Sequence, residues 1–209
     1  MEEPARRREF VNRKGLIVAA ALDVFAEVGF QKASMREIAN RAGMTQAAIY
    51  YHFSDKTALL MSIVSAFSED LIARLDAVLQ MPGEPKSKLG KLIYEQLDLV
   101  GTRKSELKIL MEDKVHLSEA DRAEVKLFER KIFRIYKTCI DQMKDEGDLN
   151  DINSVVAAFG ILGSINWVYH WYREDGDVSF DEVKDSILTF ALSGCCKSAK
   201  FAAKLREAV

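Results

Sequence analysis

The stretch RAGMTQAAIYYHF, residues 41–53, decides how the chain is read. A surface helix that serves only a core carries its apolar residues on one stripe and its charged residues opposite. Here Ile49 and Phe53, four apart, share one face, while Ala47 and Tyr51 point the other way with Gln46, Ala48, Tyr50 and His52 beside them. Alanines and tyrosines where charge is expected imply that the outer face meets something other than water or the protein's own core.

The residues around this stretch supply helix boundaries. Residues 9–28 carry a helical stripe of Ile17, Ala20, Ala21, Val24, Phe25 and Val28, closed by Gly29. Ser34-Met35-Arg36-Glu37 has the spacing of a capping box, so a short helix starts there and stops at Gly43, which tolerates the left-handed conformation. Thr45 caps a second short helix running through His52, and Ser54 caps a third that continues at helical spacing to Leu75. Two short helices joined by Ala42-Gly43-Met44 make a helix-turn-helix, whose second helix lies in the DNA major groove. Ala39 is small enough for the helices to cross closely, and Ile38, Ile49 and Phe53 hold the pair against the first helix.

The outer face then fits duplex DNA. Ala47 and Ala48 allow close approach and contact with a thymine methyl, and the Gln46 amide matches adenine. Tyr50, Tyr51 and His52 can donate to phosphates, and Thr45, lacking a Glu three residues later, leaves backbone N–H groups for a phosphate. Lys56 sits in a first helical turn, where a cation costs a few tenths to ~1 kcal/mol against the helix dipole unless an anion is near.

Residues 29–60 closely resemble the DNA-binding domain of the tetracycline-repressor (TetR) family of bacterial regulators. The resemblance rests on Ile38-Ala39 before the turn, Arg41-Ala42-Gly43 in it, the aromatic run ending in Phe53, and Lys56 opening the next helix. It implies DNA contact at Ser34, Arg36, Thr45, Gln46, Ala47, Ala48, Tyr50, Tyr51, His52 and Lys56. It also implies a C-terminal ligand domain and a homodimer on a palindromic operator, usually as a repressor. Arg6–Arg8 fit either a minor-groove arm or a solvated tail.

The bulk composition agrees with a folded, soluble, helix-rich chain: 48% of the 209 residues are apolar, 30% are charged, and there are three prolines. The net charge of −2 gives no support for nucleic-acid binding, but residues 1–60 hold nine Lys/Arg against seven Asp/Glu, so the weak basic excess sits with the motif. Cys139, Cys195 and Cys196 have no paired spacing, and the charged N-terminus is no secretory signal, so a reducing cytoplasm is expected.

Beyond MPGEP, residues 81–85, no proline follows. Helices are expected at 86–101, 104–115, 119–146, 151–173 and 179–194, with a tail helix after Lys197 and a capping box at Ser179 and Glu182. The predicted fold is all-α, with a DNA-binding domain over 1–54 and an effector-binding and dimerisation domain over 55–209. SVVAAFGILGSINWVYHWY, 154–172, contains no charged residue, yet Asn166, His170 and two glycines make it a poor membrane span. It reads as a helix buried on nearly every side.

That helix needs a second partner beyond its own core. Gly160, Gly163 and Ser164 permit close approach, and Val183, Ile187, Phe190 and Ala191 extend the face into a four-helix dimer interface, as the resemblance implies. The aromatic content, with Phe133, Tyr136, Trp167 and Tyr169 beside Met111 and Asn166, suits a cavity for a hydrophobic effector. Phe128, Phe159, Trp171 and His116 are secondary candidates. NWVYHWYREDGDVSFDEV, 166–183, is similar to the end of family members answering to acyl-CoA thioesters, which implies a lipid-derived effector. No cofactor is expected. Two other readings stay open: a dimeric DNA-binding protein with no effector, and a metal-dependent enzyme using Glu112 and His116, four apart.

Overall fold

The structure, a computed structural model, describes residues 3–196, with side chains described from Arg13 onward. Nine α-helices follow one another in the described chain: α1 (Glu3–Val28), α2 (Met35–Arg41), α3 (Gln46–His52), α4 (Lys56–Gln80), α5 (Pro85–Thr102), α6 (Lys104–Glu112), α7 (Glu119–Asp145), α8 (Ser154–Trp171) and α9 (Phe180–Cys195). A short 3-10 helix, Asp113–His116, follows α6. Among the described residues no sheet forms; Leu149 and Cys196 make one isolated bridge. The fold is all-α, as expected. The tail helix expected after Lys197 lies outside the described residues.

Two compact units emerge. The first joins the residues up to Ser68 with Ser105–Lys126; the second joins Glu69–Lys104 with the residues from Leu127 on. The functional division expected between residues 54 and 55 therefore falls inside the first unit, and α4 and α7 each run through both.

In the first unit α2 packs on α1 and on α3. Ile17, Ala21, Val24, Ile38 and Ile49 are sealed completely, and Ala39 is 2% exposed, which fits its expected role at a close helix crossing. Val28, expected on the core stripe of α1, is 37% exposed because that stripe ends at Phe25, just before the chain turns at Gly29.

In the second unit α5 packs on both α8 and α9. Leu89, Leu92, Ile93 and Leu97 of α5 meet a core that includes Ile165 and Val168 of α8. Gly101 serves this packing: a Cβ there would stand 2.2 Å from Cε1 of Phe180 on α9. No described helix is long and apolar enough to cross a membrane. The expectation that the uncharged helix is buried on nearly every side needs correction for the single chain. Ala158, Ile165 and Val168 are sealed, but Val156, Phe159 and Trp167 are exposed at 61%, 60% and 61%. One face of α8 packs inward and an equally apolar face points out.

Candidate nucleic-acid interface

The turn between α2 and α3 is a Schellman motif. Gly43 has φ +65, its N–H donates to Asn40 O at 3.2 Å, and Met44 N–H donates to Ala39 O at 2.9 Å. Thr45 Oγ1 then accepts from Ala48 N–H at 3.2 Å, which starts α3 in a new direction. Ser34 Oγ likewise accepts from Glu37 N–H at 3.2 Å. The reciprocal half of that expected capping box is not formed, in contrast to Ser179 and Glu182, where both halves are. The cap of α4 also differs from expectation. Asp55 Oδ1, not Ser54, accepts from Ala58 N–H at 2.8 Å, while Ser54 Oγ donates to Asp55. Asp offers a second carboxylate oxygen, so Ser54 supports the cap instead of forming it.

Arg41 closes the arrangement with a bidentate pair to Glu27 of α1, at 2.7 and 2.6 Å. The Arg41 hydrogen bond holds the Glu27 carboxyl below its ordinary range. Both groups are exposed, so the pair fixes geometry more than it adds stability.

On α3, Ile49 is sealed and Phe53 is 5% exposed, whereas Tyr50 and Tyr51 are 49% and 77% exposed. Gln46 and Ala47 are exposed beside them, and Ala48 and His52 are half-buried. Ser34, Arg36 and Thr45 are exposed on the same short segment. The tyrosine ring at 51 lies edge-on to the His52 ring at 5.2 Å. His52 has its pKa lowered, first by burial and then by Arg13 and Lys14 of α1. Those two cations bring positive charge to the C-terminal end of α3, and Lys14 Nζ lies 5.4 Å from the Phe53 ring centroid. Sequence reading missed both, because α1 precedes the motif by a long interval and only packing brings them together. The side chains of Arg6–Arg8 lie outside those described.

Lys56 differs most from expectation. Its Nζ donates to the carbonyls of Phe30, Gln31 and Ala33 at 2.6, 3.1 and 2.9 Å and lies 4.5 Å over the Phe30 ring. An ammonium has three N–H donors, and three carbonyls take them. The compensation for a cation at a helix start is thus the α1–α2 connection, not an external anion. The Phe30 ring is stacked on its other neighbour, His116, at 5.1 Å, and Gln31 Nε2 is 3.4 Å from His116 Nε2. Glu112 and His116 do not share a helix face, since α6 ends at Glu112 and His116 belongs to the 3-10 helix. Among the described residues no three possible ligands gather as a metal site.

The expected effector residues fall in both compact units. Met111 is half-buried in the first unit. Phe133 stacks on Phe159 at 4.6 Å, and Trp167 is exposed. Tyr136 is a sealed core residue whose hydroxyl donates to Leu92 O at 3.0 Å. Of the secondary candidates, Phe128 is buried and Trp171 is half exposed. Tyr169 is buried, and Asn166 Oδ1 accepts from Gln96 Nε2 at 3.0 Å. Gln96 was not anticipated. It is 3% exposed and its Oε1 has no hydrogen-bond partner, a state that costs about 1–3 kcal/mol in an apolar setting.

The expected dimer residues split by phase. Gly160, Gly163 and Phe190 are exposed and Ser164 and Ile187 are half-buried, whereas Val183 and Ala191 face their own core. Asp185, Ser186, Thr189, Phe190 and Ser193 line an open groove of about 510 Å³ on the outer face of α9. The outward phase of α9 is therefore one residue away from the one expected.

Comparison with known proteins gives the same picture. Residues 17–63 match the bacterial regulatory proteins of the tetR family, and residues 82–195 match the tetracyclin repressor-like C-terminal domain. The HTH-type transcriptional repressor KstR2 of Rhodococcus jostii is 24% identical over 184 residues, covering 87% of this chain and 90% of that protein. The HTH-type transcriptional regulator AcrR of Shigella flexneri is 30% identical over 167 residues, covering 73% and 77%. The crystal structure of AibR with isovaleryl coenzyme A and operator DNA superposes with a TM-score of 0.77 at 24% identity, covering 85% of this chain and 97% of AibR.

Proposed function

Because the chain belongs to the tetR family of bacterial regulatory proteins, we propose that it is a cytoplasmic transcriptional repressor, homodimeric on a palindromic operator and released by a hydrophobic effector. The observation that carries this reading is the outer face of α3. Gln46, Ala47, Tyr50 and Tyr51 stand exposed on a helix whose opposite face is sealed by Ile49 and Phe53. Gln46 and the alanines read bases. Ser34, Arg36, Thr45, Tyr50, Tyr51 and His52, together with Arg13 and Lys14, hold the backbone.

A helix of seven residues reads few base pairs, so two copies about one DNA turn apart are required. The exposed faces of α8 and α9, with Val156, Phe159, Trp167 and Phe190 outermost, supply the surface that a second copy covers. The regulatory half is supported by AibR, solved with an acyl-CoA and operator DNA, and by KstR2, a repressor. An acyl-CoA or a related lipid-derived molecule is the effector class this favours. Its entry shifts α4, which runs through both units, and so changes the separation of the two reading heads.

Selection of bound fragments from random duplex DNA by the purified protein tests this directly. A palindrome with half-sites about one turn apart is expected, and binding falls when isovaleryl coenzyme A or a longer acyl-CoA is added. Selection of no sequence would overturn the reading, and an operator affinity unmoved across the acyl-CoA series would remove the effector from it.

A further inference from the structure

Three helices of the second unit converge on one polar spot in an apolar core. Tyr136 of α7 donates its hydroxyl to Leu92 O of α5, and one turn further along α5, Gln96 donates to Asn166 of α8. The positions three and four residues from Gln96 on α5 are Leu92, Ile93, Leu99 and Val100, all buried. A leucine or methionine at position 96 would suit these neighbours. The chain instead keeps an amide that makes one hydrogen bond and leaves Oε1 unpaired at 3% exposure. Exchanging O and N of the amide does not remove the problem, since the other polar atom then lacks a partner. Buried polar atoms without a protein partner are rare, and each calls for an ordered water or a further group to complete it.

Asn166 makes the spot reachable. It is half-buried where Gln96 is buried. The pair is neutral on both sides. An amide oxygen accepts from a hydroxyl or an amide N–H, but it offers a carboxylate nothing, and the desolvated anion would go uncompensated.

We propose that the Gln96–Asn166 pair is the polar seat of the effector site, and that the effector presents to Gln96 Oε1 a neutral hydrogen-bond donor carried on an apolar skeleton. This rests on the effector-responsive reading above and adds the ligand's chemistry to it. With Oε1 as the unpaired atom a carboxylate head is disfavoured at this seat, whereas a hydroxyl or an amide N–H along the chain of a thioester conjugate is accommodated.

The test uses the full-length protein, its Gln96→Leu and Asn166→Leu variants, and straight-chain primary alcohols, primary amides and carboxylates of six to twelve carbons as probes. Alcohols or amides are expected to raise the melting temperature of the wild type by several degrees, with the matched carboxylates at least tenfold weaker. Gln96→Leu is expected to melt higher than the wild type without ligand and to lose the probe-induced shift. A Gln96→Leu protein that melts lower makes Gln96 an ordinary structural residue and overturns the proposal. So does a variant that responds as the wild type does, a carboxylate that binds as well as its alcohol, or a wild type shifted by no alcohol or amide. Operator binding, measured alongside, separates the two readings. If probes bind in a Gln96-dependent way but operator affinity does not change, the seat stands and the effector-controlled repressor fails.

Discussion

Lys56 Nζ and the carbonyl oxygen of Phe30 are 2.6 Å apart, and two further carbonyls, of Gln31 and Ala33, complete the coordination of the ammonium. The first residue of α4 thereby fixes the connection that delivers Ser34, the cap of α2. Burial lowers the Lys56 pKa, and the Asp113 carboxylate opposes that lowering. We expect Lys56→Met to lower unfolding stability by about 1.5–3 kcal/mol, the range for hydrogen bonds to a charged group. The slope of log K against log salt should stay the same, because no phosphate contact is lost. Thermal melts and operator titrations at several salt concentrations check both. A slope shallower by about one phosphate equivalent would return Lys56 to the DNA.

What was legible in the sequence and what was not divides along the range of the interaction. Gly43, Thr45 and the Ile49/Phe53 face depend on neighbours within one or two turns, so spacing alone places them. Lys56 meets carbonyls 23 to 26 residues away, Gln96 meets Asn166 across 70, and Arg13 and Lys14 reach His52 only by the folding of α1. No period reports those. The phase of α9 failed for a related reason. Val183 and Ala191 are as apolar as an interface requires, and only the packing of α9 on α5 shows that they face inward.

The exposed tyrosine and the sealed isoleucine of α3 should separate stability from binding. Tyr51→Ala is expected to change unfolding stability by no more than about 0.5 kcal/mol, because the side chain is 77% exposed, while weakening operator binding. Ile49→Ala removes a sealed core residue and should cost about 2–5 kcal/mol, with DNA binding lost through unfolding of the head. Gln46→Ala should leave overall affinity for random duplex unchanged and relax preference at individual bases, at about 1–3 kcal/mol per position. Denaturation curves and selection on randomised half-sites measure these. An unaltered base preference in Gln46→Ala would remove that residue from the readout.

His52 gives the reading head a pH dependence. Burial, then Arg13 and Lys14, lower its pKa below the ordinary value, so the folded head holds a neutral imidazole at pH 7 while the unfolded chain protonates more readily. With a folded pKa below the unfolded one, the contribution to stability is complete above about pH 6.5 and is lost as pH falls through the folded pKa. Melting temperature should therefore drop between pH 7.5 and 5.5 more steeply in the wild type than in His52→Gln. Equal drops would show that His52 is not linked to folding.

Gly101 should reverse an ordinary rule. Replacing a helical glycine by alanine is usually stabilising by roughly 0.5–1 kcal/mol. Position 101 lies within α5, but its added Cβ would meet three ring atoms of Phe180, the nearest at 2.2 Å, and a ring is not the loose end of a flexible side chain. Overpacking of this kind costs about 1–3 kcal/mol, so Gly101→Ala is expected to destabilise on balance. Restoring stability in Gly101→Ala/Phe180→Leu would confirm the partner, and a stabilised single variant would refute the packing.

The outward face of α9 allows dimerisation to be tested apart from folding. Phe190 is 73% exposed beside the open groove, so a change there leaves the core of its own chain intact. If a second copy covers this face across a two-fold axis, each dimer buries the residue twice. At about 1.5–3 kcal/mol for each buried aromatic, Phe190→Asp should weaken self-association by roughly 3–6 kcal/mol, or about 10²- to 10⁴-fold, before any repulsion between the two carboxylates is added. Sedimentation should show a folded monomer with an unchanged circular dichroism spectrum. On operator DNA the variant should keep weak half-site binding and lose the tight palindromic complex, because each head still folds but the pair is no longer held in register. Val183→Asp is the counter-test: Val183 is 2% exposed within its own chain, so this change should unfold the second unit before it separates subunits. A Phe190→Asp protein that remains dimeric at micromolar concentration would move the interface off this face of α9.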